Sequence, residues 1–273
     1  MGNNKKKVTG IIRVYSRKAR DQIVGIGSEF FNEAGIADCA EDVFACVDEL
    51  IKNAVKANYK FLLIMDRIQE DLIRDNPGRD ADDIKRQTYD IIKDKKMFDR
   101  IASRIVSSEE ISQTVREILN QESQQLSIKN RSYDEHRAVT AEERASIGAL
   151  DKLTRIRTEM KERDIKILLK IEYDGDFIYI EVTNTAPIMT QDMNRIHEKR
   201  DEYRQYRMEG REYEFFINNI DTSDSGFGLG YAKIDSFLTS MGLDADRSIS
   251  IISANNTTVM LSIPVSALRE RMG

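Results

Sequence analysis

The chain is short of several residue types, and each shortage excludes a class of protein. Among 273 residues there are two cysteines, two histidines, three prolines and no tryptophan. Cys39 and Cys46 cannot form the disulfide framework of a secreted scaffold, and the two scattered histidines do not give them a zinc-ligand spacing. We therefore expect two small buried cysteines in a reducing compartment and no metal held by them.

Long apolar runs and a strong charge of one sign are also missing. No stretch approaches about 18 consecutive apolar residues, so the sequence predicts no transmembrane helix and no membrane partner. The start, MGNNKKKVTG, lacks the apolar segment of a signal peptide, which favours a cytoplasmic protein. A net charge of −5 argues against general nucleic-acid binding.

Helical periodicity is the main pattern that is present. Apolar residues recur every three or four positions at Val43, Val47, Leu50, Ala54 and Ala57, as on an amphipathic helix. Residues 66–164 are dense in charge, poor in glycine and proline, and helical in period. Within them, Thr140-Ala-Glu-Glu resembles a capping box, which predicts a helix running to about Arg163.

Strand patterns flank this helical region. VTGIIRVYS (8–16) predicts a strand with Ile11, Val14 and Tyr15 as candidate core or edge residues. IKILLKIEY and FIYIEVTN alternate with a period of two around Asp174-Gly175, a hairpin turn signal. SISIISANNTTVMLSIPV predicts a second hairpin near the end of the chain. Strands that pair as hairpins beside helices indicate an α+β fold, a two-layer α/β sandwich in which one antiparallel-rich sheet has helices on one face.

A glycine-rich segment, DTSDSGFGLGYAKI (221–234), places Gly226, Gly228 and Gly230 within five residues. It is not a Walker loop, because Tyr-Ala follows the last glycine where that loop needs Lys-Ser/Thr. It does not fit the Rossmann spacing either. A glycine-rich hinge that leads into a helix N-terminus could cradle a polyphosphate with backbone N–H groups. The alternative is a flexible connection that binds nothing.

A second polar motif lies on the first amphipathic helix. In DELIKNAVKANYK, the side chains of Glu49, Asn53 and Lys56 share one face at steps of four and three. A carboxamide oxygen suits Mg²⁺, a carboxylate can position a water molecule, and an ammonium neutralises phosphate. The alternative is an ordinary solvated helix face.

Together these motifs resemble the Bergerat-fold (GHKL) ATPase superfamily, and within it the ATP-binding domain of histidine kinases. ELIKNAVK looks like its N box and SGFGLGYAKI like its glycine-rich G2 box, in the family's order. The resemblance covers residues 8–60 and 165–266. It implies a mixed sheet with helices on one face, an ATP-binding domain formed by residues 1–65 and 165–273, and a helical insertion or subdomain at residues 66–164.

The resemblance also implies roles for single residues. Asn53 would bind Mg²⁺, Glu49 would be the catalytic carboxylate near the γ-phosphate, and Lys56 would contact phosphate. The G2 box would supply the remaining lid and phosphate contacts, from Gly226, Phe227, Gly228, Leu229 and Gly230. ATP and Mg²⁺ are therefore the expected cofactors.

The G1 box departs from the family. Where the family has Asp-x-Gly-x-Gly, this chain has TNTAPI, with Asn184 at the aspartate position and Ala186 and Ile188 at the glycines. Asn184 could still accept a hydrogen bond from adenine, with Thr185 assisting. The alternative is that Asn184 simply ends a strand, in which case nucleotide binding could be lost.

Two functions stay open. The first is a signalling ATPase or protein kinase, although the first 60 residues contain no histidine to serve as phospho-acceptor. The second is a non-catalytic or anti-sigma-like regulatory module that acts through protein contacts. Whether the chain is an enzyme is left undecided, a protein partner is expected at the helical insertion, and homodimerisation is left open. Four arginines before the G2 box could face phosphate or solvent: Arg200, Arg204, Arg207 and Arg211.

Overall fold

The computed structural model describes residues 6–106, 109–220 and 229–272, and within them the chain is an α+β fold, as the sequence predicts. The strands are β1 (Lys6–Ile12), β2 (Ile167–Tyr173), β3 (Phe177–Asn184), β4 (Ile249–Ser253) and β5 (Thr257–Pro264). The helices are α1 (Arg17–Glu33), α2 (Ala40–Asp75), α3 (Ala81–Lys93), α4 (Lys95–Val106), α5 (Glu109–Asp134), α6 (Ala141–Gly148), α7 (Asp151–Glu162), α8 (Thr190–Met208), α9 (Glu212–Ile220), α10 (Leu229–Ser240), α11 (Ala245–Ser248) and α12 (Val265–Met272).

The strands form one sheet in the order β1-β2-β3-β5-β4, and each neighbouring pair in the described chain is antiparallel. The expected mixed sheet is therefore wrong. Both predicted hairpins form, and a tight turn can join only antiparallel strands. In the first hairpin Gly175 has a φ of +103°, and the Asp174 carboxylate accepts hydrogen bonds from the N–H groups of Asp176 and Phe177.

Alternate residues of the central strands face a single hydrophobic core. Leu169 of β2 lies opposite Val182 of β3, and Ile171 lies opposite Ile180; all four are buried. Helices α1, α2 and α10 contribute apolar side chains to the same core. The other sheet face carries polar groups such as Lys170, whose ammonium donates to Glu181 on β3 at 2.6 Å. Helices therefore cover one face, which is consistent with an α/β sandwich.

The first strand ends earlier than the sequence suggested. It stops at Ile12, and Ser16 is instead the N-cap of α1, where its hydroxyl accepts from the N–H of Ala19 at 3.3 Å. Ile11, a candidate core or edge residue, is 54% exposed on this edge strand, while Ile12 is buried. Successive side chains of a strand point to opposite faces of the sheet, so Ile12 enters the core and Ile11 lies on the face that carries Lys170.

Helix α2 joins two apolar cores. Its first half buries Val47 and Leu50 beside the sheet, and its second half buries Leu62 and Ile68 among α3, α4, α5 and α7. With 36 residues the helix is about 54 Å long. The predicted domain boundary after residue 65 falls inside this continuous helix, and the division into an ATP-binding domain and an insertion stays a prediction.

The capping box forms, but the helix that it starts is shorter than expected. Thr140 accepts from the N–H of Glu143, and the Glu143 carboxylate accepts from the N–H of Thr140. The chain then breaks after Gly148, since the buried Leu150 leaves the helical conformation with a ψ of 71°. Two helices, α6 and α7, replace the single helix that was expected.

The cysteines carry no disulfide. Cys46 is buried as expected, whereas Cys39 is half-buried. Burial raises the pKa of the Cys46 thiol to about 12, so this thiol is an apolar core group. Within the described chain no helix has the length and apolarity needed to span a membrane.

Candidate functional site

The two motifs singled out in the sequence meet in the fold. Asn53 and Gly230 are 177 positions apart, yet α2 and α10 pack so closely that a Cβ on Gly230 would lie 2.7 Å from Asn53 Nδ2 and 3.2 Å from its Oδ1. Any side chain at position 230 would displace the carboxamide. A glycine here is therefore explained by close approach between helices.

The Asn53 carboxamide is also incompletely bonded. Its Nδ2 is buried and has no hydrogen-bond partner among the described residues. A buried unpaired donor costs roughly 1–3 kcal/mol, and native proteins carry few of them. Such a group is a candidate ligand contact, and the carboxamide can present either its NH₂ or its oxygen by turning over.

A cavity of about 60 Å³ begins at Asn53 and passes between α2, α8 and strands β3 and β5. Its lining is mostly apolar, with a few polar or aromatic-hydroxyl side chains: Asn53, Lys60, Asn184, Asp192, Tyr231 and Thr257. Asn53 and Asn184, both proposed from the sequence, therefore border one space. Sites for small molecules typically measure roughly 300–1,000 Å³, so a whole nucleotide fits this cavity only after it widens.

Glu49 lies one helical turn before Asn53. Its Oε1 is 3.4 Å from Lys52 Nζ and 4.0 Å from Lys233 Nζ on α10. Asn53 lies at Gly230, and Glu49, one turn earlier on α2, lies near Lys233, about one turn later on α10. The two helices therefore run antiparallel. Glu49 is placed beside the Asn53 contact but outside the cavity lining, with two lysines next to its carboxylate.

Cations occupy the other side of Asn53. Lys60 donates to both carboxylate oxygens of Asp192 on α8, at 3.0 and 2.9 Å, and each side chain is 11% exposed. Burial, and next the charge of Lys60, lowers the pKa of Lys56 to about 8. Burial also lowers the pKa of Lys60, which the Asp192 carboxylate partly offsets. This part of α2 therefore carries two cations near the cavity, and one of them, Lys60, is bound to the Asp192 carboxylate.

Ala186 in the TNTAPI segment is held by three buried side chains. The carbonyl of Ala186 accepts from Asn184 Nδ2 at 3.2 Å and from Thr257 Oγ1 at 2.7 Å. Its N–H donates to the carboxamide oxygen of Asn58 on α2 at 3.3 Å. All three side chains are at most 5% exposed. Asn184 thus has an architectural bond in addition to its place in the cavity wall.

Thr185, which was expected to assist adenine recognition, bonds to the backbone of Lys166 instead. Its hydroxyl accepts from the N–H of Lys166 at 3.1 Å and lies 3.2 Å from the Lys166 carbonyl. It closes the end of the β2–β3 hairpin and is not part of the cavity lining.

The G2 segment is described only in part. Gly226, Phe227 and Gly228 lie outside the described residues. Leu229 and Gly230 begin α10, and Leu229 packs against the small cluster of Tyr203, Phe215 and Ala232.

The four arginines of α8 and its C-terminal turn pair with carboxylates. Arg200 is buried, and its guanidinium donates to both oxygens of Asp235 on α10, at 2.7 and 2.9 Å. The other three ion pairs are more exposed: Arg204–Asp246, Arg207–Glu212 and Arg211–Glu214. Arg200 therefore ties α8 to α10 and does not face the cavity.

Several cavity residues were not predicted from the sequence. Lys60 follows Lys56 by four positions on the same helix, so the helical period could have found it. Thr257 lies directly opposite Asn184 in the β3–β5 register, which the two hairpins alone do not specify. Asp192 and Phe98 carried no usable signal, because long-range packing brings them to the cavity.

Residues with metal-ligand chemistry do not cluster in the described chain: no group of three His, Cys, Asp or Glu side chains there could hold a metal ion. Comparison with known protein families, with curated proteins and with solved structures found no match for this chain.

Proposed function

We propose that this chain binds a nucleoside triphosphate, ATP with Mg²⁺, between α2 and α10, and that it acts as a signalling ATPase or protein kinase of the Bergerat (GHKL) type. One observation carries the proposal. Two motifs that resemble the family's N and G2 boxes meet through Asn53 and Gly230, and Asn53 keeps a buried donor without a partner.

The charge distribution supports a polyphosphate at this contact. Lys56 and Lys60 lie on the C-terminal side of Asn53, and Lys52 and Lys233 lie on its N-terminal side around Glu49. Cations that bracket a carboxamide suit a ligand with several negative charges. Glu49 is the carboxylate in reach of this end, and it would position the group that receives a phosphoryl.

The donor set fits Mg²⁺ only through Asn53. Mg²⁺ takes oxygen ligands and keeps several waters, and a single protein oxygen together with phosphate oxygens satisfies that preference. Bound Mg-ATP would supply the phosphoryl group and its charge neutralisation. The chain's own residues hold the phosphates, exclude water from the apolar cavity and place Glu49.

A second candidate function has its own observation. Within TNTAPI, the Ala186 carbonyl accepts from Asn184 and Thr257 and the Ala186 N–H donates to Asn58, so both backbone polar groups of this residue are bonded inside the chain. These bonds form without a nucleobase and give Asn184 a structural role. That role favours a regulatory module that acts through protein contacts, with the helices α3–α7 as the expected partner surface.

Calorimetric titration of the full chain with ATP and ADP, with and without Mg²⁺, separates the two functions. We expect binding of ATP with Mg²⁺ to the unmodified chain, and a loss of at least about tenfold in Asn53→Ala, which corresponds to one lost polar contact. Asn32→Ala is the matched control, because Asn32 is exposed on α1. An unmodified chain that binds neither nucleotide would sink the proposal, and binding without hydrolysis or transfer would favour the regulatory module.

A further inference from the structure

The cavity has an aromatic end that the N-box and G2 motifs do not account for. Phe61 of α2 and Phe98 of α4 both line it, with ring centroids 5.9 Å apart and planes at 67°. This is an edge-to-face pair, and both rings are almost completely buried. Phe98 belongs to the helical region that has no counterpart in the sequence resemblance.

Helix α4 is anchored against the cavity by polar contacts. Asp99 accepts from the hydroxyl of Thr190 at 2.6 Å and from its N–H at 3.2 Å, and so supplies the N-terminal cap that Met189 cannot give to α8. Lys95 donates to the hydroxyl of Ser253 at the end of β4 at 3.1 Å. These bonds attach α4 to α8 and to the end of β4 at positions close to Phe98.

The aromatic end and the polar end are separated along α2. Asn53 and Phe61 differ by eight positions on one helix, which is about 12 Å along the helix axis. A ligand that contacts both must be elongated, with a charged group at one end and a flat apolar group at the other. A nucleoside triphosphate has that shape, and aromatic side chains pack well against a purine ring.

We propose that Phe98 and Phe61 form the base-binding end of the cavity, so that helix α4 of the helical region determines which nucleobase shapes are admitted. The inference rests on the proposed nucleotide function and extends it. Phe98 acts as a specificity residue that contacts the ring, and the helical region thereby becomes part of the ligand site as well as a partner surface.

The test compares the unmodified full chain with Phe98→Ala by calorimetric titration. The ligands are ATP, inorganic tripolyphosphate, and three ATP analogues enlarged at ring positions N6, C2 or C8, so that no edge of the base is assumed to face Phe98. We expect Phe98→Ala to improve at least one analogue relative to ATP by about tenfold, since a pocket discriminates ring substituents to that degree. Affinity for tripolyphosphate should stay unchanged.

Two further variants keep the result interpretable. Phe98→Leu removes less volume and should shift the same ratio in the same direction if Phe98→Ala does not fold, as circular dichroism would report. Phe177→Ala is the matched control, because Phe177 stacks on Tyr179 on the far face of the sheet; its analogue-to-ATP ratios should equal those of the unmodified chain.

The outcomes separate this inference from the function on which it rests. Ratios within about twofold of the unmodified chain for all three analogues, in a folded variant that binds ATP, would overturn the role of Phe98 and leave the ATP proposal standing. Equal affinity of the unmodified chain for ATP and tripolyphosphate would also overturn it. An unmodified chain that binds neither ligand would remove the nucleotide function itself.

Discussion

Two walls of the cavity differ in how their buried polar groups are satisfied. One lies at Asn53; the other, here called the Ala186 wall, includes Asn184 and Thr257, which both donate to the Ala186 carbonyl. At the first wall, the Asn53 carboxamide touches Gly230 and its Nδ2 has no partner in the described chain. At the second, the N–H and the carbonyl of Ala186 are both bonded by buried side chains.

This difference separates two reasons for a buried polar residue. A side chain that completes the bonds of the backbone stabilises the fold, and its removal leaves buried groups unpaired. A side chain that itself lacks a partner contributes little to stability, so its presence points to a ligand. The following predictions, ordered by expected change in the free energy of unfolding, test whether the two walls differ in this way.

Asn58→Ala should have the largest effect. It removes the acceptor of the Ala186 N–H and leaves a fully buried site, because Asn58 is 0% exposed. We expect a loss of about 2–3 kcal/mol in the free energy of unfolding, measured by urea denaturation. The exposed Asn32→Ala serves as control, and a loss no larger than in that control would contradict an architectural role for the Ala186 wall.

Thr257→Val should have a smaller effect of the same sign. The substitution keeps the shape of the side chain and removes the hydroxyl that donates to the Ala186 carbonyl at 2.7 Å, while Asn184 remains bonded there. We expect a loss of about 1 kcal/mol in urea denaturation. Thr9→Val, on the exposed edge strand, is the comparison, and equal effects at both positions would weaken the distinction between the walls.

Asn53→Ala should behave in the opposite way. Because the change removes a buried donor that has no partner, the free energy of unfolding should stay within about 0.5 kcal/mol of the unmodified chain or rise, while affinity for ATP falls at least about tenfold. Parallel urea denaturation and calorimetric titration measure both. A loss of stability as large as that of Asn58→Ala would show that the two walls are alike.

Gly230→Ala approaches the same contact from α10. A new Cβ would push the Asn53 carboxamide aside, since 2.7 Å is too close for a methyl group. Alanine also favours a helix over glycine by about 0.5–1 kcal/mol, so stability should change little while ATP affinity falls. Gly25→Ala is the control because a Cβ there meets no atom within 4 Å.

The pH dependence at Lys56 tests the same wall through its charge, with ligand affinity as the main readout. Below pH 8 the ammonium is charged and holds polyphosphate, and affinity should fall by about tenfold as pH rises through the pKa of about 8. The folded-state pKa lies below the ordinary value of 10.5, so burying this charge costs stability below pH 8, and that cost disappears between pH 8 and 10.5. Titrations of Lys56→Gln should lose both dependences.

The structural features that could be predicted from the sequence depend on local patterns. The apolar stripe of α2, the Asp174-Gly175 turn and the capping box at Thr140 depend on neighbours within a few positions, and each forms as predicted. The expectations that were wrong concern long-range choices. The pairing of all neighbouring described strands as antiparallel and the break at Leu150 depend on which distant elements each segment meets.

The candidate site also contains both local relations, which the sequence predicts, and long-range contacts, which it does not. Glu49, Asn53 and Lys56 could be placed on one helix face because the helical period alone relates them. The contacts of Asn53 with Gly230, of Lys60 with Asp192 and of Phe61 with Phe98 join residues far apart in the chain.

The sequence by itself determined the classes of segment and the residue types available for chemistry, because periodicity and turn propensity act over a few residues. Only the tertiary structure decided which of these groups share a cavity and which are bonded to the backbone. The physical reason is that burial and hydrogen-bond satisfaction depend on every element that packs around a side chain. Asn53 and Asn58 illustrate it: they are five positions apart on one helix, and only packing makes one of them unpaired and the other an anchor of Ala186.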